Sequence, residues 1–172
     1  MRAMLRRMLG PPLSRWRWRV IAKLLEGDIL DVGCGSGRLY RYAKKKGVRN
    51  YLGVDVSDRR EIKDFEFLEL DIETGARELI KGLFDRVVLG ACIEHLEQPA
   101  EVLRWCRTVL RPLGDGLLII TTPTPRGQRL LRLIFAGGSE HTKIYNKSEL
   151  FQELQSAAFE VIEYRKIGRA HV

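Results

Sequence analysis

The chain has 172 residues, 45% of them hydrophobic, and a net charge of +8. This length and hydrophobic content are enough for one sizeable core, but the chain is too short for two ordinary domains. No apolar run reaches the ~18 residues that a membrane-spanning helix needs, and the start of the chain lacks the apolar stretch of a signal peptide. Its three cysteines are far apart and form no Cys-x-x-Cys pair, so neither a disulfide framework nor a zinc site is indicated. We therefore expect a soluble, cytoplasmic domain with reduced thiols and no metal.

The positive charge is concentrated at the start of the chain, and we assign residues 1–26 to a basic N-terminal helix that acts as a lid. The arginines of this segment are Arg2, Arg6, Arg7, Arg15, Arg17 and Arg19. Such a pattern is compatible with a solvated helix face and with a contact to nucleic acid, a membrane surface or an acidic substrate. The neighbouring Trp16 and Trp18 leave two readings open, since they could stack on bases or pin the helix to the domain.

From Asp28 onward, strand-like and helix-like patterns alternate, which is typical of βαβ units around a mostly parallel sheet. The first strand is predicted at Asp28–Val32, and a helix at Leu39–Lys46 ends at Gly47. The following strands are predicted at Tyr51–Val54 and Phe65–Leu70.

The second half of the chain continues this alternation, with one interruption. A fourth strand is predicted at Phe84–Leu89, a helix at Pro99–Leu110 and a fifth strand at Leu117–Thr122. The basic stretch from Pro123 to Tyr145, with a short helix at Gln128–Phe135, is interpreted as a lid or insertion. Asn146 and Glu149 have capping-box spacing and open a helix that runs to Ala158, and Phe159–Tyr164 is the sixth strand.

A glycine turn follows the first strand, at Gly33, Gly35 and Gly37. The dinucleotide-binding fingerprint needs a glycine at the sixth position from Gly33, where this chain has Arg38. Acidic residues mark the ends of three successive strands: Asp31, Asp55 and Asp71. Ligands of parallel sheets bind at the carboxyl ends of strands, so we expect these carboxylates to converge on one crevice. An acidic crevice suits the ammonium and hydroxyl groups of S-adenosylmethionine and suits a pyrophosphate poorly.

The stretch from Ile29 to Thr122 resembles the class I S-adenosylmethionine-dependent methyltransferases, in the branch that modifies small molecules. The matching segments are ILDVGCGSG, YLGVD, FLELDIE, FDRVVLGACIEHLEQP and LRPLGDGLLIITTPT, followed by KSELFQELQSAAFEVIE as the usual terminal helix and strand. The resemblance implies an α/β fold with a Rossmann-like, doubly wound, mostly parallel sheet. Its strand order would be 3-2-1-4-5-7-6, with an antiparallel seventh strand. One departure is Pro112–Gly116, which is one residue longer than the usual Pro-Gly-Gly.

The resemblance also implies which residues bind the cofactor, S-adenosylmethionine. Gly33, Cys34 and Gly35 would line its methionine part, and Asp31 would lie near its amino group. Gly90 and Ala91 would border the methionine end of the cofactor. Asp55 would hold the ribose hydroxyls, Val56 would pack on the adenine, and Asp71 with Ile72 would face the adenine amino group.

Methyl transfer from a sulfonium is an in-line displacement, and alignment of the reactants can supply about 7–11 kcal/mol. A general base helps when the acceptor is a hydroxyl or a protonated amine. His95, just after the fourth strand, is the candidate, since a histidine is mostly neutral at working pH. The alternative is a helix-entry residue that packs on the cofactor loop. Glu94 is either its orienting partner or a first-turn acid, and His141 and Tyr145 either reach the acceptor or pack in the lid.

Two other classes of function remain open from the sequence. A NAD(P)-binding oxidoreductase is disfavoured by Arg38 and by the acidic crevice. A non-catalytic module could use the basic N-terminus on nucleic acid. No Asn/Asp-Pro-Pro-Tyr motif follows the fourth strand, so we expect a small molecule, a lipid-linked headgroup or a sugar as the acceptor in preference to DNA. The arginine-rich segments suggest that the acceptor is anionic.

The end of the chain is short for the fold that the resemblance implies. Only Arg165–Val172 follow the predicted sixth strand, too few for a turn and a strand of ~5 residues, so we expect the seventh strand to be missing through truncation. Ile167–Val172 can also be encoded by a common sequencing-library adapter. The expected division is therefore a methyltransferase domain over residues 27–166 and a non-native tail over residues 167–172.

Overall fold

The structure is a computed structural model that describes residues 16–112, 116–124, 143–167 and 170–171. The strands are β1 (Asp28–Val32), β2 (Asn50–Asp55), β3 (Glu66–Glu69), β4 (Arg86–Gly90), β5 (Leu117–Pro123), β6 (Lys166–Ile167) and β7 (Ala170–His171). The helices are α1, described over 16–22, α2 (Tyr40–Lys46), α3 (Pro99–Val109) and α4 (Lys147–Ser156). Two short 3-10 turns lie at Arg77–Leu79 and Ile93–His95.

The strands form one sheet in the order β3-β2-β1-β4-β5-β7-β6. The pairs β1–β2, β2–β3, β1–β4 and β4–β5 are parallel. The strand order reverses between β1 and β4, and in parallel sheets a ligand crevice opens at such a switch point, outside the carboxyl ends of the strands. The predicted Rossmann-like α/β fold is therefore confirmed.

Both faces of the sheet are covered, because alternate residues of its strands enter different apolar clusters. On one face, Leu30 and Val87 pack in the cluster that contains the buried residues of α3 and α4. On the other face, Ile29 and Val88 pack with Ile21 of α1 and with residues of α2. Burial on both faces explains the consecutive apolar residues Ile29–Leu30 in β1 and Val87–Leu89 in β4.

The first five strands and helices α2 to α4 agree with the sequence prediction to within two residues at each end. Gly47 has a φ of 69° and ends α2, as predicted. Left-handed backbone at this position favours glycine. The apolar pattern of the sequence and the residues that mark helix ends were thus sufficient to predict these strands and helices.

The C-terminal strands differ from the prediction. Residues 159–165 form no strand, and the apolar Phe159 and Val161 that suggested one pack against the core cluster. The expectation of a missing seventh strand is also wrong, since Ala170–His171 pairs antiparallel with both β5 and β6. The expectation of a missing strand assumes a strand of ~5 residues. In the structure, β6 and β7 have two residues each, with two residues between them in the sequence. The order 3-2-1-4-5-7-6 is present.

Several predictions concern residues that the structure does not describe. They are the first fifteen residues of the basic segment, the longer turn at residues 113–115, and residues 125–142 of the insertion with their short helix and His141. Within the described ranges, no helix has the length and apolarity needed to cross a membrane. The same ranges contain no cluster of three or more His, Cys, Asp or Glu residues suited to a metal ion.

The capping box of α4 supplies a test of the fold. Asn146 Oδ1 accepts a hydrogen bond from the Glu149 N–H at 3.0 Å, and the Glu149 carboxylate accepts one from the Asn146 N–H at 2.8 Å. Asn146→Ala removes the first bond and should lower the free energy of unfolding by about 0.5–2 kcal/mol in urea denaturation. Asn146→Asp retains an acceptor and should stay near the parent, and equal losses in both variants would contradict a capping role.

Candidate active site

A cavity of about 730 Å³ lies at the carboxyl ends of β1, β2 and β4. This volume is within the range of about 300–1,000 Å³ that is typical of small-molecule sites. The turn after β1, the end of β2, the segment after β3 and the end of β4 form its walls, and Arg17 and Trp18 of α1 complete them. The cavity therefore occupies the place that the switch point of the sheet predicts.

The glycine turn between β1 and α2 is closed onto the end of β2 by three hydrogen bonds. The N–H groups of Gly33 and Cys34 donate to the Val54 carbonyl at 2.8 and 3.1 Å, and the Gly35 N–H donates to Asp55 Oδ2 at 2.8 Å. Gly35 has a φ of 53°, and a Cβ built there would meet no atom within 4 Å. The turn thus needs glycine for its backbone and presents bare backbone to the cavity.

Asp55 is the acidic group most firmly placed at the cavity. It is 7% exposed, and its second oxygen accepts a hydrogen bond from Arg59 Nη2 at 3.1 Å. The next residue, Val56, is 58% exposed, although it is apolar and lines the cavity. A carboxylate beside an uncovered apolar side chain can take hydroxyl groups and a flat ring system at neighbouring points.

Asp71 and Ile72 line the same wall, after β3. The Asp71 carboxylate accepts hydrogen bonds from the Glu73 N–H at 2.9 Å and from the Thr74 hydroxyl at 2.8 Å. These bonds hold the pKa of Asp71 below its usual value. Asp71 therefore stabilises its own turn as well as facing the cavity.

The end of β4 brings the candidate base to the opposite wall. Gly90, Ala91 and His95 all line the cavity, and Ala91 has a φ of 62°, a left-handed conformation that is uncommon for alanine and occurs often at functional sites. His95 is exposed, and its backbone N–H donates to the Cys92 carbonyl at 2.9 Å in a 3-10 turn. The imidazole is thus accessible from the cavity.

The N-terminal helix packs directly on this wall. A Cβ at Gly90 would approach Trp18 Cη2 to 2.7 Å, so the indole ring lies against the glycine backbone. The Arg17 guanidinium lies 4.2 Å from the centre of that ring. Of the two readings of the tryptophans, Trp18 fits the one in which it pins the helix to the domain, whereas Trp16 is exposed.

The expectation that three carboxylates converge on the crevice is wrong for Asp31. It is 1% exposed and is not part of the cavity wall, because it lies opposite Gly53, two residues short of Asp55 along the same face of the sheet. The Tyr51 hydroxyl donates to its Oδ2 at 2.5 Å. Burial raises the pKa of Asp31 to about 7, although the hydrogen bond from Tyr51 opposes that shift.

Glu94, Cys34 and Cys106 have buried side chains, and Cys92 is partly buried. Burial raises the pKa of Glu94. Burial raises the pKa of the Cys34 thiol to about 12, so Cys34 fills space in the glycine turn and is not a reactive thiolate at neutral pH.

Sequence reasoning missed several residues of the site. Arg59 lies one helical turn after Asp55 in the sequence and pairs with it, and Glu73 accepts hydrogen bonds from the N–H groups of Gln98 and Glu97 at 2.7 and 3.1 Å. The helical i, i+4 rule gives no signal for the first pair, because Asp55 ends a strand and Arg59 lies in the loop after it. No sequence signal connects Tyr51 with Asp31, since they meet only across neighbouring strands.

The family described as "Methyltransferase domain" matches residues 6–164. Among curated proteins, the ubiquinone biosynthesis O-methyltransferase of Acinetobacter baylyi is 24% identical, over 89% of this chain and 71% of the relative. The mitochondrial ubiquinone biosynthesis O-methyltransferase of Saccharomyces cerevisiae is 28% identical, over 81% of this chain and 52% of the relative. This chain thus spans only about half the length of the yeast relative.

Solved structures share the fold. An S-adenosylmethionine-dependent methyltransferase from Clostridium acetobutylicum superposes with a TM-score of 0.66 at 13% identity, over 98% of this chain and 94% of that chain. The plantazolicin methyltransferase, solved in complex with SAH, gives a TM-score of 0.64 at 21% identity, over 83% of this chain and 61% of that chain. Because the family match covers nearly the whole sequence, the chain belongs to the methyltransferase domain family and is a class I S-adenosylmethionine-dependent enzyme.

Proposed function

We propose that this methyltransferase transfers a methyl group to a hydroxyl oxygen of a small molecule, with His95 as the general base. The observation that carries the proposal is that His95 lines the same cavity as Asp55 and the glycine turn. The relatives described above are named O-methyltransferases, which favours oxygen as the acceptor atom.

The residues of the cavity fit S-adenosylmethionine, which supplies an activated methyl group when bound. The ribose hydroxyls would bind Asp55, and the adenine would pack on Val56 beside Asp71 and Ile72. The methionine part would lie along Gly33, Cys34 and Gly35, toward Gly90 and Ala91. Asp31 lies behind this surface and would act on the donor through its charge and not through direct contact.

The hydrogen bonds of the glycine turn argue against a dinucleotide. In dinucleotide-binding folds, backbone N–H groups of this turn and the start of the following helix face a pyrophosphate. Here the Gly35 N–H donates to the Asp55 carboxylate, and α2 begins only at Tyr40. The cavity is lined by acidic Asp55, Asp71 and Glu73 and also by basic Arg17, Arg38 and Arg59, so the hydrogen bond of the turn, and not the charge of the lining, carries this argument.

His95 is placed to take the proton of the acceptor hydroxyl as its oxygen attacks the methyl group. The new bond joins oxygen to the methyl carbon, the bond from that carbon to sulfur breaks, and the hydroxyl proton passes to the imidazole. A base in this role contributes about 10²–10⁴-fold to the rate. Alignment and exclusion of water supply the rest.

The N-terminal basic segment and the segment between β5 and α4 would close over the acceptor and select it. Trp18 and Arg17 of α1 already form part of the wall, and the Lys143 N–H donates to the Glu94 carbonyl at 3.2 Å beside the His95 turn. The positive charge of Arg17 on this wall favours an acceptor that carries negative charge. The three cysteines are free thiols, which fits a reducing, cytoplasmic location.

The proposal is tested by transfer of a labelled methyl group from S-adenosylmethionine to the small-molecule fraction of a cell extract. Mass spectrometry of the labelled product then identifies the acceptor and the methylated atom. An O-methylated small molecule is expected. Label found only in protein or nucleic acid would contradict the proposed acceptor class.

Asp55→Ala should weaken binding of S-adenosylhomocysteine, because the ribose hydroxyls lose a charged acceptor. The expected loss is about 1.5–3 kcal/mol, a roughly 10- to 150-fold rise in Kd by isothermal titration calorimetry. Asp64→Ala is the matched control, since Asp64 is exposed and pairs only with Lys44 among the described residues. An unchanged Kd in a folded Asp55→Ala variant would remove Asp55 from the donor site.

His95→Ala should lower kcat by about 10²–10⁴-fold with the acceptor found above, and should leave the Kd of S-adenosylhomocysteine unchanged. Glu97→Ala, an exposed change in the same loop, should retain parental turnover. A drop of only a few-fold in the His95 variant would mean that alignment alone carries the chemistry.

A further inference from the structure

A buried hydrogen bond lies beneath the glycine turn, between residues that the reaction does not touch. The Tyr51 hydroxyl donates to Asp31 Oδ2 at 2.5 Å, and the two residues are 6% and 1% exposed. In the β1–β2 register, Asp31 lies opposite Gly53 and Ile29 lies opposite Tyr51, so both side chains project from the same face of the sheet. The bond therefore joins the two strands directly under the turn.

The Tyr51 ring is fixed by its neighbours. Its centre lies 5.2 Å from that of Tyr40 and 5.1 Å from that of Phe65, both in edge-to-face geometry. Phe65 in turn lies against the glycine backbone, since a Cβ at Gly37 or Gly53 would come within 2.8 or 2.5 Å of its ring. The hydroxyl is thus held in place by the same cluster that supports the turn.

Several ionisable groups influence the Asp31 carboxyl. Tyr51 and Asp55 belong to β2, Arg17 belongs to α1, and the thiols of Cys34 and Cys92 belong to the two turns. Arg17 is the one cation among them, and it forms no salt bridge with Asp31 in the described part of the chain. The Tyr51 hydroxyl is therefore the direct polar contact that steadies this carboxylate.

We propose that Tyr51 is a positioning residue of the donor site, whose hydroxyl holds the Asp31 carboxylate under the glycine turn, where it attracts the cationic methionine end of the donor. The proposal rests on the function proposed above, since it requires that the cavity binds S-adenosylmethionine. It extends that function to a residue outside the cavity wall.

Proton linkage follows from this arrangement. Burial raises the pKa of Asp31 to about 7, so near neutral pH part of the free protein carries a protonated Asp31. A donor ammonium favours the carboxylate, and binding should release that proton to solvent. Donor affinity should therefore rise as the pH rises through about 7. A hydrogen bond to a carboxylate favours its charged form, so loss of the Tyr51 hydroxyl should move this rise to higher pH.

The test is the Kd of S-adenosylhomocysteine, measured by isothermal titration calorimetry at several pH values on both sides of about 7. Tyr51→Phe should weaken binding at neutral pH by about 3- to 10-fold, as expected for one lost hydrogen bond, and should shift the pH dependence upward. Tyr40→Phe is the matched control. It removes a hydroxyl from the same aromatic cluster, where that group makes no hydrogen bond to a described residue, and it should behave as the parent.

Asp31→Asn provides a second variant, which keeps the hydrogen bond from Tyr51 and removes the charge. It should bind with little pH dependence and should release no proton when two buffers of different ionisation enthalpy are compared. The proposal is overturned if Tyr51→Phe matches Tyr40→Phe, or if Asp31→Asn keeps the parental pH dependence. If the parent protein fails to bind S-adenosylhomocysteine at every pH, the proposed function itself fails as well.

Discussion

The hydrogen bonds that close the glycine turn onto β2 are the constraint on which the site depends. Gly33 and Cys34 donate to one backbone carbonyl, and Gly35 donates to the Asp55 carboxylate. A side chain at Gly33 would meet Cys92 Sγ at 2.9 Å, so the turn is also packed against the loop after β4. One short segment thus fixes the position of the Asp55 carboxylate and the distance to the wall that carries His95.

The sheet supplies this geometry because its strand order reverses between β1 and β4. Parallel strands end at the same edge, so Asp55 and Gly90 face one cavity although the sequence separates them widely. Asp31 and Asp55 project from the same face of the sheet, because Asp31 lies opposite Gly53 and Asp55 follows Gly53 by two residues. They differ in depth: Asp55 ends β2 at the cavity wall, whereas Asp31 is 1% exposed and lies beneath the glycine turn.

Much of the fold was predictable from local signals. Apolar runs, Gly47 and the Asn146–Glu149 capping box located the first five strands and three helices. The two C-terminal strands were not predictable, because each has only two residues, too few to carry a periodic pattern. In the site, Asp55 and His95, which motif position singled out, both line the cavity, and Asp31 does not. The contact between Tyr51 and Asp31 was not predicted, because contacts between strands depend on register.

The central claim is that the glycine turn and Asp55 form the binding site for the methyl donor. A crystal structure of the protein with S-adenosylhomocysteine tests it most directly. The account predicts the ribose hydroxyls within hydrogen-bonding distance of the Asp55 carboxylate, the adenine on Val56, and the sulfur on the side of the cavity that His95 lines. Density for the ligand outside this cavity, or a ribose turned away from Asp55, would contradict the account.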